Sequence, residues 1–486
     1  MTRPVVVLCM VGAAVAAVLG GAAATAPAHG VERQATSIPD PVPVESADLV
    51  CPRTWPAPDT TNRLALVAPA GTASGHAGLR AVDPKQPLPA INLDKAGTAA
   101  VRDNRLVSAV PIINASGTIA SGVVAESARR GDSGYLRGIA GVRCVAPTTD
   151  AWFLGAMTTV GRVAELSLTN ADPLTATVDV TFSGRGGDVE APTARGLTIE
   201  PGRVRKIKLE EVAPNQPDLM VHVTARSGRV AAFLFQRYQY ARSPGGIDYL
   251  PPVESPQLTA VAPGLPNGTG FRRVVIGNPS DDDATAKLTL ITSDGSFVPD
   301  GLGAVTVPAH STRRVDVTTP LAQQAGAVQL ESDQPIVLSV LADTGPRVNG
   351  IGEFAWSGAV PPLDGPTPVA ITTLGGAQST LFLSAPEESG TVLVTTFPVG
   401  NAKVPPPRRV EVVAGRTVSL ELSPGTTGNF SVVLELVSGA GPIYAARELL
   451  EIGARGPLYT LEPVRSGRGT ALLRNVVSDP AVSRPQ

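Results

Sequence analysis

Ser280 is followed by three consecutive aspartates, Asp281–Asp283, a stretch that could bind a metal ion. Hard cations such as Ca²⁺ prefer clustered carboxylate oxygens. The stretch lacks the spaced acidic ligands and the closing glutamate of a calcium-binding loop. It also follows Asn278-Pro279, a pair typical of turns. We therefore predict a solvated hairpin tip here, and no metal or cofactor site in the chain.

The segment Gly131-Asp132-Ser133-Gly134 has the form of the nucleophile loop of chymotrypsin-like serine proteases. Such a serine needs a histidine base and an aspartate that orients the base. The chain has only four histidines, and His76 lies in Ser-Gly-His-Ala-Gly, without the usual alanine-alanine-histidine-cysteine setting. Tyr135 also replaces the glycine that normally follows the loop. We predict a polar turn, no catalytic residue and no enzyme activity.

Binding or hydrolysis of glycans is the alternative function. Trp55, Trp152 and Trp356 could stack on glycans, although apolar neighbours favour a role as core anchors. Hydrolysis of a glycosidic bond would require two carboxylates facing each other across about 5–10 Å. Nothing in the spacing of the acidic residues brings two of them together. Four are of the kind that such a site would recruit: Glu126, Asp132, Glu165 and Asp172.

Two cysteines remain once Cys9, in the N-terminal segment, is set aside. An even pair in an exported segment points to a structural disulfide. We predict that Cys51 and Cys144 are joined. In the chain-entropy model, closing a loop of 93 residues (144 − 51) is worth about 4–5 kcal/mol.

The N-terminus predicts export. One positive charge at Arg3 precedes an apolar stretch and a run of small residues that offers Ala-x-Ala cleavage sites, which is typical of a secretory signal. Residues 5–28 carry no charge and are long enough to span a bilayer, so retention as a membrane anchor stays open. Either outcome places the rest of the chain outside the cytoplasmic membrane, secreted or attached to its outer face.

The composition of the chain narrows the possible functions and fold classes further. Lys plus Arg is 40 and Asp plus Glu 42, so the basic excess typical of nucleic-acid binders is missing. Gly and Pro together make up 96 of 486 residues (50 + 46). Frequent Gly and Pro break helices and shorten strands, and 43% hydrophobic residues suffice for a core. We predict an all-β chain with many turns.

A turn followed by an alternating strand recurs at positions 68, 170, 278 and 385, at steps of 102, 108 and 107 residues. A period of two places apolar side chains on one face of a strand, as in Val204–Leu209, where Ile207 and Leu209 should point inward. Helical turns are expected only near residues 209–212 and 320–324. Units of this length with Gly/Pro turns favour tandem immunoglobulin-like β-sandwich modules.

Pro-bearing segments at similar places in each unit mark the expected boundaries. The predicted organisation is a signal peptide or anchor at 1–28, a Pro-rich linker at 29–47, β-sandwich modules at 48–147 (with the disulfide), 148–252, 253–362 and 363–464, and a frayed tail at 465–486.

Three segments carry a family resemblance: Cys144–Phe153, Gly161–Asn170 and Gly228–Ala232. They resemble a family of secreted or membrane-anchored actinobacterial proteins known only as a domain of unknown function. The resemblance covers most of the exported chain and implies its compartment and architecture, with tandem immunoglobulin-like modules. It implies no activity and no functional residues.

These observations predict a non-enzymatic extracytoplasmic cell-envelope protein, acting as a tandem β-sandwich scaffold or interaction module. The expected partner is an envelope protein or a cell-wall polymer, with no nucleic acid, and with membrane contact only through the N-terminal segment. A cell-wall glycan-binding or glycan-active protein is the alternative.

Overall fold

A computed structural model describes residues 41–53, 59–69, 74–86, 88–104, 109–240, 243–344, 352–399, 405–422, 428–439, 441–453, 455–467 and 470–472. Its contacts divide the chain into two units, one of which is residues 43–471. The other comprises residues 1–42 and 472–486, and is described only at 41–42 and 472. The predicted signal or anchor segment lies outside the described residues. Among those that are described, no helix is long and apolar enough to cross a membrane.

The regular secondary structure of the described chain is nearly all β-strand, as predicted, from β1 (Pro41–Pro43) to β35 (Thr470–Leu472). Between them the same two-sheet sandwich occurs four times. The strands of the first module are β2 (Ser46–Val50), β3 (Thr60–Val67), β4 (Ser74–Ala81), β5 (Asn92–Lys95), β6 (Ala99–Asn104), β7 (Pro111–Gly117), β8 (Val124–Gly131) and β9 (Gly138–Arg143). Those of the second are β10 (Asp150–Ala156), β11 (Arg162–Thr169), β12 (Ala176–Gly184), β13 (Gly187–Val189), β14 (Leu197–Ile199), β15 (Val204–Lys208), β16 (Leu219–Ser227), β17 (Ala231–Tyr240) and β18 (Ser243–Leu250).

The other two modules follow the same plan. The third contains β19 (Gln257–Leu265), β20 (Arg272–Asn278), β21 (Ala284–Thr292), β22 (Ser296–Phe297), β23 (Val305–Val307), β24 (Ser311–Asp316), β25 (Gly326–Asp343) and β26 (Phe354–Gly358). The fourth contains β27 (Thr367–Val369), β28 (Gln378–Ala385), β29 (Gly390–Pro398), β30 (Arg408–Val412), β31 (Arg416–Leu422), β32 (Phe430–Gly439), β33 (Tyr444–Gly453) and β34 (Gly456–Val464).

Strand order is the same in all four modules. Each module has seven strand positions when the strands that pair only with its third strand are left out, namely β5, β13, β14, β22, β23 and β30. One sheet then has the order first-fifth-third, as in β10-β16-β12. The other has the order fourth-second-sixth-seventh, as in β15-β11-β17-β18. In the third module the long strand β25 supplies both the fifth and the sixth strand. Each module is therefore a two-sheet antiparallel sandwich, whose strand order differs from that of immunoglobulin domains, since the first strand pairs with the fifth and the second with the sixth. The prediction of all-β sandwiches is confirmed.

Side-chain alternation places the cores where the sequence indicates. Along β11, Ala164, Leu166 and Leu168 are buried in the core of the second module. Ile207 and Leu209 are buried too, while Lys206 and Lys208 lie at the surface.

Helices are short and few among the described residues. There are two α-helical turns, α1 (Leu209–Val212) and α2 (Thr318–Leu321), at or next to the two predicted places. Three 3₁₀ turns occur at Thr118–Ser121, Gly134–Leu136 and Pro192–Ala194. The predicted disulfide between Cys51 and Cys144 is present, and both cysteines are buried in the core of the first module.

The four modules form a closed ring. Their seventh strands, β9, β18, β26 and β34, contact one another in cyclic order around a common centre. Consecutive modules share apolar clusters, such as Ala140 and Val142 with Phe233 between the first and the second. The fourth module also packs on the first, where Ile139 shares a cluster with Ile371 and Leu458. The sequence indicates tandem modules, and only the structure shows that the last module returns to the first.

The closing contact between the fourth and first modules is polar as well as apolar. The buried Glu126 carboxylate accepts hydrogen bonds from the backbone N–H groups of Ala370 and Ile371, at 3.0 and 2.8 Å. It also lies 3.6 Å from the buried guanidinium of Arg447. At the rim, Arg130 forms two hydrogen bonds with Glu451, at 2.6 and 2.7 Å. Arg130 is therefore committed to the closing contact and is not a free surface cation.

Hydrogen bonds hold the segment that follows β34. Arg465, which the sequence assigns to a frayed tail, donates hydrogen bonds to Glu254 and to the carbonyl oxygens of Pro252 and Ala359. Ser466 donates to the Thr367 hydroxyl or accepts from it at 2.9 Å. Residues 465 and 466 therefore tie the fourth module to its neighbours, and the predicted boundary at 465 stays a prediction.

Candidate functional site

The candidate site begins on the outer face of the first sheet of the second module. Cross-strand pairing aligns Trp152 of β10, His222 of β16 and Thr181 of β12 in one row. Their chain neighbours, such as Phe153 and Val221, point into the core. Because side chains alternate along a strand, this row faces outward and forms the floor of a groove.

Two aromatic rings are stacked on this floor. The imidazole of His222 lies parallel to the indole of Trp152, with ring centroids 3.7 Å apart and an interplanar angle of 10°. Asp150 holds both rings, because its carboxylate is 2.6 Å from His222 Nε2 and accepts a 3.1 Å hydrogen bond from Trp152 Nε1. The stack is thus fixed by hydrogen bonds at one edge and presents an amphipathic surface.

The third module supplies the opposite wall. Pro279 and His310 of the third module line, together with the floor residues, a partly open cavity of about 220 Å³. His310 Nε2 is 2.8 Å from the Asp281 carboxylate, and its Nδ1 is 3.9 Å from Asp188 of the second module. The remaining lining includes Ser183, Glu190 and Arg195 from the second module. The cavity therefore exists only where two modules meet.

The geometry of His222 does not match a proton relay. In a Ser-His-Asp triad the aspartate and the hydroxyl contact different ring nitrogens, so that the base can pass a proton. Here Asp150 and the Thr224 hydroxyl approach the same atom, Nε2, at 2.6 and 3.2 Å. Asp150 and Thr224 can hold and orient the His222 imidazole beside a ligand, so that the ring can form hydrogen bonds with the ligand.

A second polar cluster lies at the ring centre. Asp248 of the second module accepts 2.8 Å hydrogen bonds from the Trp356 N–H of the third and the Thr460 hydroxyl of the fourth. Glu353 of the third accepts one from the Ile247 N–H at 2.8 Å. Arg137 of the first donates to two carbonyl oxygens of the fourth, at 2.7 and 2.9 Å. We call these residues the hub, because all four modules contribute to it.

Burial dominates the electrostatics of the hub. Desolvation raises the pKa of Asp248 and of Glu353 well above their usual values, although hydrogen bonds from backbone N–H groups oppose the shift. Desolvation also raises the pKa of Glu448, on the neighbouring strand β33, to about 7. The hydroxyl of Thr380 and the charge of Arg272 only partly offset this effect. Asp248 and Glu353 thus join modules, and all three carboxyl groups are withdrawn from solvent.

The Glu448 shift predicts how stability depends on pH. Its folded-state pKa of about 7 exceeds the ordinary 4.5, so its contribution to stability is present below about pH 4.5 and is lost as the pH rises through 7. We expect the thermal unfolding midpoint to fall between pH 5 and pH 8. Glu448→Gln should flatten this dependence, by about 3 kcal/mol at most, because 2.5 units at 1.36 kcal/mol each set the upper limit.

Calorimetry at closely spaced pH values would measure this dependence. Glu331→Gln is the matched control, since Glu331 is half-exposed and pairs with Lys287 at the surface. An unfolding midpoint that rises steadily from pH 5 to pH 8, or an unchanged slope in Glu448→Gln, would contradict the assignment.

The residues that the sequence offered for glycan binding or hydrolysis lie in different places in the structure. Trp356 is fully buried in the core, Trp152 lines the groove, and Trp55 lies outside the described residues. The four acidic candidates lie apart, each beside its own basic residue. The pairs are Glu126 with Arg447, Asp132 with Arg130, Glu165 with Lys206 and Asp172 with Arg229. None of these four residues lines the groove.

The protease-like and calcium-like motifs take part in local ion pairs and hydrogen bonds. Asp132 pairs with Arg130 at 2.8 Å, and Ser133 precedes a 3₁₀ turn. Each of the three histidines in the described ranges instead pairs with an aspartate elsewhere. Asp281 pairs with His310 and Asp283 accepts the Ala309 N–H at 3.0 Å. No group of three metal-ligating side chains occurs within the described part of the chain.

Sequence reasoning missed His222 and His310 as a pair, because 88 residues (310 − 222) and a module boundary separate them. One signal was present in the repeats themselves. The turn after the third strand of a module carries Gly202 in the second module and Gly415 in the fourth, while the third carries His310. A side chain that interrupts a repeated glycine marks a position with an added role.

A model of a family of unknown function, DUF5719, matches residues 97–423, about two thirds of the chain (327 of 486 residues). The match spans the greater part of the ring, including the groove and the hub strands up to Glu353. No curated protein matches the chain.

Proposed function

The chain belongs to this family, and we propose that it is a non-enzymatic, extracytoplasmic cell-envelope protein whose ring of β-sandwiches is a rigid interaction scaffold. The observation that carries the proposal is the closing contact between the fourth and first modules, centred on Glu126. A closed ring holds loops and junctions of all four modules at fixed positions. Fixed loops on a rigid frame are the usual basis of a binding surface.

Two observations support a location outside the cytoplasm. The disulfide between Cys51 and Cys144 is of a kind that persists in oxidising compartments. The N-terminal residues 5–28 have the pattern of a secretory signal or anchor. Thiol labelling of intact host cells tests the location, because an exported chain will contain these two cysteines as a disulfide.

Two further observations support a non-enzymatic role. The hub carboxylates accept backbone and hydroxyl hydrogen bonds between modules, which commits them to assembly. Asp150 and Thr224 both contact Nε2 of His222. In a triad, the aspartate and the nucleophile contact different nitrogens of the histidine, so His222 lacks that geometry.

Proximity crosslinking in intact cells tests the scaffold role. The bait is the full chain with its own N-terminal segment, and the readouts are crosslinked proteins and copurified polymer. Recovery of one defined envelope protein, reduced in Glu126→Ala and retained in Glu331→Ala, is the expected result. Recovery of cytoplasmic proteins alone would overturn both location and role.

The Trp152 groove favours a second candidate function, glycan binding. Aromatic rings held beside hydroxyl and carboxylate groups are suited to the apolar faces and hydroxyl edges of sugars. Recovery of wall polymer alone, lost in Trp152→Ala, would replace the scaffold proposal by this one.

A further inference from the structure

One turn position differs among the four modules. It precedes the fourth strand and is occupied by Gly97, Gly202, His310 and Gly415. All four have left-handed backbone conformations, with φ of 68°, 70°, 50° and 71°. Glycine adopts this conformation without strain, whereas a residue with a Cβ does so rarely. The third module therefore carries a side chain where its three sister modules carry none.

At two of the glycine positions, the turn lies directly against the neighbouring module. A Cβ on Gly202 would lie 3.3 Å from the Val82 carbonyl oxygen of the first module. One on Gly415 would lie 3.0 Å from the Ser296 hydroxyl of the third module. At the junction of the second and third modules the His310 imidazole occupies the corresponding place. The cavity of about 220 Å³ lies there, bounded by His310 on one side.

The cavity has the size and lining of a site for one sugar ring. Its volume of about 220 Å³ is many times the ~10–15 Å³ that one water molecule needs, so the cavity can admit a small organic ligand. Trp152 contributes an apolar surface against which ring C–H groups can pack. Thr181, Ser183 and Glu190 in the lining supply donors and acceptors for hydroxyl groups. The lining is therefore mixed, with Trp152 as its aromatic surface and polar side chains around it, which suits a ligand rich in hydroxyl groups.

The local charge excludes polyanions. Asp188 and Glu190 line the cavity, and Asp150 and Asp281 hold its two histidines. Among the lining residues, two carboxylates (Asp188 and Glu190) and one guanidinium (Arg195) give a formal charge of −1 (−2 + 1) before the imidazoles are counted, and the carboxylates of Asp150 and Asp281 lie behind the histidines. Repulsion by this charge disfavours phosphate-rich and uronate-rich polymers. A neutral sugar is compatible with it.

We propose that His310 forms, with Trp152 and His222, a binding site for one neutral sugar residue of an envelope polysaccharide. The inference rests on the proposed extracytoplasmic role and specifies the ligand that the scaffold would hold. His310 forms the wall contributed by the third module, the Trp152–His222 stack is the floor, and the groups of β12 and β13 contact the ring hydroxyls.

Saturation-transfer NMR on the purified full chain tests the site. The probes are N-acetylglucosamine, galactose, mannose and arabinose, with galacturonate and glucose 6-phosphate as anionic counterparts. We expect transfer to at least one neutral sugar and at least tenfold weaker binding in His310→Gly. This variant installs the residue of the sister modules, so its unfolding midpoint should equal or exceed that of the parent. His76→Gly, which removes an exposed histidine of the first module, should bind as the parent does.

Three results would overturn the inference: no transfer to any neutral sugar, equal transfer in His310→Gly, or preference for the anionic probes. Each leaves the scaffold proposal standing if crosslinking still recovers an envelope protein. Conversely, sugar binding without a protein partner would retain this site and replace the scaffold role.

Discussion

Glu126→Ala is expected to lower the free energy of unfolding by about 3–5 kcal/mol, the range found when one partner of a buried ion pair is removed. Two backbone N–H groups, of Ala370 and Ile371, would lose their acceptor inside the closing contact. The buried Arg447 guanidinium would retain only Glu462. Guanidinium denaturation followed by far-UV circular dichroism measures the change.

Glu331→Ala is the matched control for this substitution. It removes the same side chain from a half-exposed pair with Lys287, so a loss of about 0–1 kcal/mol is expected. Equal losses in the two variants would show that Glu126 does not hold the ring closed.

The double variant Cys51→Ser/Cys144→Ser is expected to be less stable by about 4–5 kcal/mol. The disulfide closes a loop of 93 residues, and its removal increases the conformational entropy of the unfolded first module. Both cysteines are buried, so serine hydroxyl groups add a desolvation cost. Thermal unfolding of the variant and of the oxidised parent measures the difference.

The reduced parent protein is the control for the disulfide. It retains both sulfur atoms and should lose nearly as much stability as the double variant. If the reduced protein and the oxidised protein unfolded at the same temperature, the link would contribute nothing to stability.

The sandwiches could be predicted because they depend on local patterns. Ile207 and Leu209 follow a period of two, and recurrent turns at positions 170 and 278 begin with buried asparagines whose side chains bond the backbone around them. Two cysteines left only one possible pairing. These features require information from a few neighbouring residues, or from one module.

The ring and the groove depend on contacts that a single repeat does not encode. Glu126 meets Ile371 across 245 residues, and Asp150 meets His222 across 72. Arginine side chains are mostly exposed in proteins, yet Arg129 is buried and Arg130 binds Glu451. Which face of a module is covered by its neighbours depends on the packing of whole modules, and alternation along a strand does not reveal it.

The closing contact between the fourth and first modules also determines how the protein unfolds. A linear array of sandwiches has two end modules, each supported on one side, so it can fray from its ends one module at a time. In the ring every module has two neighbours, and detaching any one of them breaks two interfaces and disturbs the hub. Residues 43–471 should therefore resist extracellular proteases as one cooperative body, and the first cut within this range should destabilise all four modules together.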